Sequence, residues 1–509
     1  MDRWQSFPVQ FTGGLITNVS PLQQGINAPG SALTLRNFEP SVSGGYRRIL
    51  GYTKWDPAEI TGTGNVRGVT EFGQNAIAVR NGHVYESGGS GWTQLTDNAT
   101  YSSTGITLGG TDGKVRFTEH KFGTTRTLII VDGDSKPCKY DGTTFSRITS
   151  APADVDGAGN VIAHKNHLFF SKGNTLSFTA PFDDSDFTAA SGAGTIVFET
   201  NITDLIVFRE NLIVFSENNI HQIAGSSIAD FQLLPITQDV GAVYEDTARE
   251  IGGDIMFMGP DGLRLLSATE RNNDFGLAVV SKPIQQTMLE FEAGGQSFTA
   301  VTIRRKSQYR VLAYNAAYTD SAARGVIGTQ FAGQGGEGMQ WSETRGINAY
   351  VSCSTLNGTE EYVLFANDDG YVYRMEDGNS FDGANIRSIF KTPHLPITDP
   401  STRKTMYKMR LFVDPQGGFR SDVSTEYNYG DEGTIAPPTQ VLSNDTDTAS
   451  FYGNSTYGTG VYGGKIKYIF DLNLSGSGYV VSFTFDSEST DPPYSFDSMI
   501  LQYGQYGRR

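Results

Sequence analysis

Short hairpin sequences recur along this chain at a nearly regular spacing, and this repeat constrains the fold more than any other feature. The clearest copy is EYVLFANDDGYVYRMEDG, from Glu361 to Gly378, in which alternating apolar residues flank a turn that contains Gly370. Glycine reaches positive φ without steric cost, and Asn and Asp tolerate it, so Asn-Asp-Asp-Gly predicts a tight turn. Because Val, Phe and Tyr favour pleated, half-buried strands, the segment predicts two antiparallel strands.

Six similar segments precede this copy. Their predicted turns lie near Gly82, Gly133, Gly173, Asn218, Gly262 and Asn315, so successive turns are 40 to 55 residues apart. A strand-containing repeat of about 40 to 50 residues is typical of a β-propeller blade. We therefore predict an all-β protein with an about seven-bladed β-propeller at residues 66–386. The alternative is an irregular all-β protein whose hairpins have ordinary spacing.

The composition favours the same class. The 509 residues include 60 Gly, 24 Tyr and 31 Phe, and only 18% are charged. Glycine-containing turns between aromatic and β-branched strands indicate an all-β protein. The best helix candidate is VSKPIQQTMLEFEAG, where Pro283 suits a first helical turn.

The N-terminal residues 1–65 are polar and rich in turns. We interpret them as an extended strap that supplies a strand to close the propeller ring, since closure hides sheet edges. Leu33, Leu35 and Phe38 would then face inward. The alternative is a partly ordered terminus.

A change of pattern near residue 387 indicates a third region. Pro393, Pro396 and Pro400 mark the boundary, and alternating strand sequences follow. Residues 387–509 are predicted to form an antiparallel β-sandwich.

One glycine-rich loop of this last region, DTASFYGNSTYGTGVYGG, carries the candidate contact residues Tyr452, Tyr457 and Tyr462. Tyrosine buries area at low entropy cost, so we expect contacts with another subunit or a partner there. The alternative is an ordinary surface loop.

The formal net charge of −16 argues against a general nucleic-acid binder, which carries a basic face. It is compatible with solubility, or with a surface that DNA slides past. The two cysteines, Cys138 and Cys353, are far apart and are expected to be free. The sequence shows neither a Sec signal nor a stretch long and apolar enough to span a membrane.

No catalytic, cofactor-binding or metal-binding residues are predicted. His164 and His167 have helical spacing but precede a strand-like segment and lack the adjacent Glu of a zinc protease. The acidic turns at Asp132 and Asp183 do not continue as calcium loops. The segment SGGSGWTQL matches only half of a sialidase blade motif, since Gly89 stands at its Asp position.

The order of the regions carries a family resemblance. A strap containing GGYRRILGY is followed by a divergent propeller and by a C-terminal β module that ends in SFDSMILQYGQYGRR. The segment NNIHQIAGSSIADFQLLPITQDVGAV, followed by GDIMFMGPDGLRLL, is similar to the middle of the propeller in this family. Over nearly its whole length the chain resembles the tail nozzle, or tail-hub propeller, of short-tailed double-stranded DNA bacteriophages. These proteins are also called packaged-DNA stabilisation or tail tubular proteins.

The resemblance implies a structural, non-enzymatic virion protein in the phage tail, assembled in the host cytoplasm. Members of the family form a homohexamer below the adaptor, or head-to-tail connector, and extend the DNA channel from the portal. They retain the packaged genome, make transient non-specific contact with DNA during ejection, and anchor tail fibres or tailspikes. The alternative function is a glycan-binding or glycan-cleaving β-propeller, which would need aromatic and carboxylate side chains at one mouth of the propeller.

Overall fold

The computed structural model describes residues 4–96, 107–109, 113–267, 279–318, 322–331, 338–431, 436–444 and 467–505. Strands dominate the regular structure, so the predicted all-β class is confirmed. The helices within these ranges are α1 (Pro21–Asn27) and α2 (Gln285–Gly294), with 3-10 turns at Ala189–Ser191, Lys282–Ile284, Arg304–Lys306 and Asn428–Gly430. Helix α2 is the predicted helix, whereas α1 was not predicted.

Five short strands precede the repeats. They are β1 (Gln5–Gln10), β2 (Thr34–Arg36), β3 (Phe38–Pro40), β4 (Tyr46–Arg48) and β5 (Tyr52–Lys54).

Six separate antiparallel sheets form blades of a β-propeller. The first four are β6 (Val66–Phe72), β7 (Asn75–Arg80), β8 (His83–Ser87) and β9 (Thr93–Gln94); β10 (Arg116–His120), β11 (Thr127–Val131), β12 (Cys138–Tyr140) and β13 (Phe145–Arg147); β14 (Asn160–His164), β15 (His167–Lys172), β16 (Thr175–Phe178) and β17 (Gly194–Val197); and β18 (Ile202–Phe208), β19 (Asn211–Ser216), β20 (Ile220–Ala224) and β21 (Gln232–Thr237).

The remaining strands of the repeat region follow in the same order along the chain. A three-stranded sheet contains β22 (Arg249–Ile251), β23 (Asp254–Gly259) and β24 (Gly262–Leu265). Next come β25 (Ser297–Ile303), β26 (Gln308–Tyr314), β27 (Arg324–Gln330) and β28 (Met339–Arg345), which belong to a nine-stranded sheet. The sixth separate sheet contains β29 (Val351–Asn357), β30 (Glu360–Ala366), β31 (Val372–Met375) and the N-terminal strand β5.

All seven predicted hairpins are confirmed as antiparallel strand pairs. In the last of them, Ala366 pairs with Val372 across a turn in which Gly370 has a φ of 85°. This left-handed conformation explains why glycine ends the Asn-Asp-Asp-Gly turn.

The core of the repeat region lies between the faces of successive sheets. Val79 of β7 and Ile130 of β11 share one fully buried cluster, and further clusters follow around the ring. Another cluster joins the sheets at the two ends of the repeat region, since it contains Val69 of β6 and Leu364 of β30. Apolar packing therefore closes the ring.

The C-terminal strands build two sheets. They are β32 (Ile386–Lys391), β33 (Lys404–Pro415), β34 (Phe419–Tyr427), β35 (Gln440–Asn444), β36 (Ile469–Asn473), β37 (Ser477–Gly478), β38 (Val481–Ser489) and β39 (Tyr494–Gln505). The nine-stranded sheet continues from β28 through β2, β32, β38 and β34 to β35, whereas β33, β36, β37 and β39 join β1, β3 and β4. Phe485 of one sheet and Phe496 of the other pack with ring centroids 4.8 Å apart, inside one buried cluster.

The N-terminal segment is more deeply integrated than an extended strap that supplies one strand. Its strands join three different sheets: β5 pairs with β31, β2 lies between β28 and β32, and β1, β3 and β4 belong to the sheet of β39. Leu35 and Phe38 are fully buried, as predicted for inward-facing residues, and Leu33 is half-buried. The sheet that contains β2 crosses the boundary predicted near residue 387.

Candidate functional site

Charged side chains from several blades meet at one mouth of the propeller, where the innermost strands begin. Lys114 and Arg116 lie at the start of β10, Asp204 lies in β18, and Asp246 and Arg249 lie at the start of β22. The first strand of each sheet is nearest the propeller axis, so these side chains converge although they are far apart in sequence.

Asp246 is the centre of this cluster. Its carboxylate oxygens lie 3.3 Å from Lys114 Nζ and 3.5 Å from a guanidinium nitrogen of Arg116. The carboxylate also accepts hydrogen bonds from the guanidinium of Arg249 and from Thr299 Oγ1, the latter at 2.6 Å. Burial alone would raise the pKa of Asp246, but the three neighbouring cations hold it well below its usual range. The buried carboxylate of Asp246 is therefore surrounded by three cations and one hydroxyl donor, as a buried charge requires.

Asp204, in the sheet that precedes that of Arg249 along the chain, extends the cluster. Its carboxylate lies 3.8 Å from a guanidinium nitrogen of Arg249, and burial raises its pKa above the ordinary value. On the other side, Thr299 and Ser352 are joined by a hydrogen bond of 2.6 Å. Polar contacts thus connect β10, β18, β22, β25 and β29 at this level of the propeller.

A pocket of about 520 Å³ lies directly beside the charged cluster. Its wall includes four aromatic residues from three separate parts of the repeat region: Tyr244, Phe298, Tyr314 and Tyr350. They form two edge-to-face pairs. Tyr244 and Phe298 have ring centroids 4.7 Å apart, and Tyr314 and Tyr350 have centroids 5.1 Å apart. Such pairs give an apolar wall with defined ring orientations.

Polar groups complete the lining of the pocket. The Tyr314 hydroxyl donates a hydrogen bond of 2.9 Å to Asn65 Oδ1, and burial raises the pKa of Tyr314 to about 12. Glu245 lies at the rim with 65% of its side chain exposed, 3.5 Å from Arg116. Gln296 also lines the pocket, and its side-chain oxygen accepts a hydrogen bond from the Ala316 N–H.

Lys114 links the pocket to the charged cluster. Its ammonium group donates to the Phe298 carbonyl and lies beside Asp246. Burial lowers the pKa of Lys114 to about 8, although Asp246 acts in the opposite direction. The Lys114 ammonium is also 5.8 Å from the centre of the Tyr350 ring, within the range of a cation–π contact.

The two carboxylates nearest this pocket have different environments. Asp246 is held in its ionised form by three cations, so it is a poor proton donor near neutral pH. Glu245 offers one exposed carboxylate, whereas glycosidases commonly use a pair.

Local sequence signals did not reveal this site. Tyr244, Tyr314 and Tyr350 lie far apart in the sequence, and no motif connects them. The side chains that meet at this mouth include four aromatic residues and the exposed carboxylate of Glu245.

The predicted contact residues Tyr452, Tyr457 and Tyr462 lie outside the described residues. Among the strands that the structure describes, β35 and β36, which precede and follow these tyrosines, are each the last strand of one C-terminal sheet. Val441, Tyr468 and Ile469 are about half exposed on or beside these edge strands.

The acidic turns noted in the sequence have structural roles. Asp132 accepts hydrogen bonds from the backbone N–H groups of Asp134 and Ser135, and Asp183 binds its own turn in the same way. Within the described ranges, no group of three or more His, Cys, Asp or Glu residues is arranged to hold a metal ion. Cys138 and Cys353 are not joined by a disulfide bond, as predicted. No helix in the described part of the chain is long and apolar enough to cross a membrane.

No family model matches the sequence, and no curated protein matches it. Among solved structures, the chain is similar to the extracellular domain of a one-component system from B. thetaiotaomicron, with 9% identity, a TM-score of 0.40, and coverage of 64% of this chain and 40% of that chain. It is also similar to PorZ, a surface component of the type-IX secretion system of Porphyromonas gingivalis, with 13% identity, a TM-score of 0.36, and coverage of 66% and 43%.

A third similar structure is the computationally designed protein Ika8, with 10% identity, a TM-score of 0.35, and coverage of 64% of this chain and 99% of that chain. The chain thus spans less than half the length of the two bacterial chains. With identities and TM-scores this low, none of the three assigns a family or a function to this protein.

Proposed function

We propose that the protein is the nozzle subunit of a short-tailed bacteriophage. In this role it forms a homohexameric ring below the adaptor, extends the DNA channel, retains the packaged genome and anchors tail fibres or tailspikes. The sequence resemblance described above is the origin of the proposal, and three features of the fold support it.

The first feature is the number of repeats. We count β25–β28 as a seventh blade, because β25 contacts β22 on one side and β29 on the other, as a blade between those two sheets must. We likewise consider the two C-terminal sheets to be a β-sandwich, because Phe485 and Phe496 pack across a shared core. This order of strap, propeller and sandwich is the order expected for a nozzle.

The second feature carries most of the proposal. The N-terminal strands connect the last blade to both C-terminal sheets, so the propeller and the C-terminal region share strands. A subunit that must hold pressurised DNA in a ring needs its domains fixed relative to each other, and shared sheets provide this more firmly than a flexible linker.

The third feature is the exposed edge of each C-terminal sheet at β35 and β36. Edge strands present unpaired backbone groups, and exposed apolar side chains beside them favour contact with another surface. In a ring, each such surface meets a different surface of the neighbouring subunit. The loop with Tyr452, Tyr457 and Tyr462 connects these two strands and remains our candidate for the contact.

The proposal is tested by sedimentation velocity of the purified chain, alone and with the adaptor of the same phage. We expect a poorly associating monomer alone and a hexamer on the adaptor ring. A chain that stays monomeric with assembled adaptor rings would contradict the proposal.

A further inference from the structure

We infer that the pocket at the propeller mouth binds a neutral saccharide unit. This inference goes beyond the nozzle role and does not depend on it, because ligand binding is measured on the isolated chain. The volume of about 520 Å³ falls within the range of small-molecule sites and admits one or two sugar rings.

The aromatic wall supplies the apolar half of sugar recognition. One face of a pyranose carries C–H groups that pack against aromatic rings, and its hydroxyl groups require polar partners at the edges of the ring. Tyr244 and Tyr350 are half-buried and line the pocket, and each is packed edge-to-face against a buried ring, Phe298 and Tyr314 respectively. Rings held in edge-to-face pairs lose little conformational entropy when a ligand binds.

The polar lining offers both donors and acceptors. Asn65 and Gln296 contribute amide groups, and Glu245 contributes a largely exposed carboxylate at the rim. Carboxylate and amide side chains form directional hydrogen bonds with hydroxyl groups.

The charges of the pocket favour a neutral ligand over an ionic one. The two charged groups that line the pocket have opposite signs, and each already has a partner: Glu245 lies 3.5 Å from Arg116, and Lys114 lies 3.3 Å from Asp246. An ionic ligand of either sign would compete with one of these pairs and would meet a like charge in the same pocket. Like charges in such a site oppose binding, so hydroxyl-rich neutral groups fit best.

Saturation-transfer NMR on the full chain tests the inference. The probes are the methyl glycosides of glucose, galactose, mannose and N-acetylglucosamine, with glucuronate and tetramethylammonium as charged comparisons. We expect at least one neutral glycoside to bind with a Kd of roughly 0.1–10 mM, as is ordinary for a few hydrogen bonds and one stacked ring. Absence of saturation transfer to every neutral glycoside, or binding of only the charged probes, would overturn the inference.

Matched variants locate the binding. Tyr244→Ala and Glu245→Ala are each expected to weaken the neutral glycoside by roughly tenfold or more. The controls are Tyr479→Ala, a 48% exposed tyrosine of the C-terminal region, and Glu210→Ala, an 86% exposed glutamate in the turn after β18. Glu245 is exposed, so its variant tests the site even where Tyr244→Ala fails to fold. Equal binding by the pocket variants and the controls would place the ligand elsewhere and refute the inference.

Discussion

The carboxylate of Glu39, in the N-terminal segment, lies 2.9 Å from the guanidinium of Arg310, in the propeller strand β26. Both side chains are almost fully buried. Lys306 lies 2.6 Å from the same carboxylate, and Glu376 lies 2.7 Å from Arg310. Two cations and two anions therefore join three distant parts of the chain: the strap, the strands β25–β28 and the sheet of β31.

Removing the charge of Glu39 should destabilise the whole fold. In Glu39→Gln, Arg310 and Lys306 would keep only Glu376 as a buried anion, and we expect a loss of roughly 3 kcal/mol in the free energy of unfolding. Urea denaturation measures this loss of unfolding free energy. The control is Glu360→Gln, which breaks an exposed ion pair with Arg374 and should change nothing measurable. Equal stability of the two variants would contradict the role of the buried network.

The same network should make stability sensitive to acid. Burial would raise the pKa of Glu376, but Arg310 and Lys306 lower it to about 2, whereas a glutamate in the unfolded chain titrates near 4.3. The folded state therefore binds the proton less readily, and the contribution of Glu376 is fully present above about pH 5. It should be lost as the pH falls from about 4.5 to 2.

Unfolding free energies of the wild type and of Glu376→Gln, measured between pH 3 and pH 7, check this expectation. The difference between them should shrink as the pH falls. A difference that stays constant over this range would show that Glu376 has no depressed pKa.

Lys114 should produce a dependence of the same sign at alkaline pH, because its pKa is also lower in the folded chain than in the unfolded chain. Its pKa is about 8 in the folded chain because of burial, and near 10.4 when unfolded. Between these two pKa values the unfolded chain binds more protons than the folded chain. The free energy of unfolding of the wild type, relative to that of Lys114→Met, should therefore rise with pH. Urea denaturation at pH 7.5 and pH 9.5 tests this. If the free energy of unfolding changed equally with pH in the wild type and in Lys114→Met, the lowered pKa of Lys114 would be refuted.

The Tyr46 hydroxyl holds two turns of the N-terminal segment together. It donates a hydrogen bond of 2.8 Å to the Gly30 carbonyl and accepts one of 3.0 Å from the Gly14 N–H. Tyr46→Phe would leave both backbone groups buried without this partner, so we expect a loss of about 1–3 kcal/mol. Tyr479→Phe, at an exposed position, is the control, and a loss of equal size there would contradict the prediction.

Deletion of residues 446–464 should separate folding from assembly. The deleted segment contains all three candidate contact tyrosines. We expect the variant to unfold with the same cooperativity as the wild type but to bind the adaptor ring or its neighbours more weakly. Infectious particles at normal yield would show that the loop is not an interface.

Local sequence signals were sufficient for the hairpins and for helix α2, because their strand and turn residues lie within a few positions of each other. Gly370 and its neighbours illustrate this. The position of the short strand β2 between β28 and β32 could not be predicted, because its three residues pair with partners that are distant in sequence, such as Leu35 with Phe390.

The pocket was equally hidden from local signals. Tyr244 and Tyr350 line the same pocket only because the innermost strands of the propeller lie around a common axis. Such an arrangement depends on the closure of the ring rather than on any motif. The repeat therefore predicted the architecture but not the side chains that meet at its mouth.

Electron microscopy of tail complexes that contain this chain tests the nozzle proposal most directly. The proposal predicts six copies in a ring that is coaxial with the portal and adaptor and surrounds the DNA channel, with contacts through the C-terminal edges at β35 and β36. A chain that is absent from the tail axis, or present there in a different symmetry without lining the channel, would contradict it.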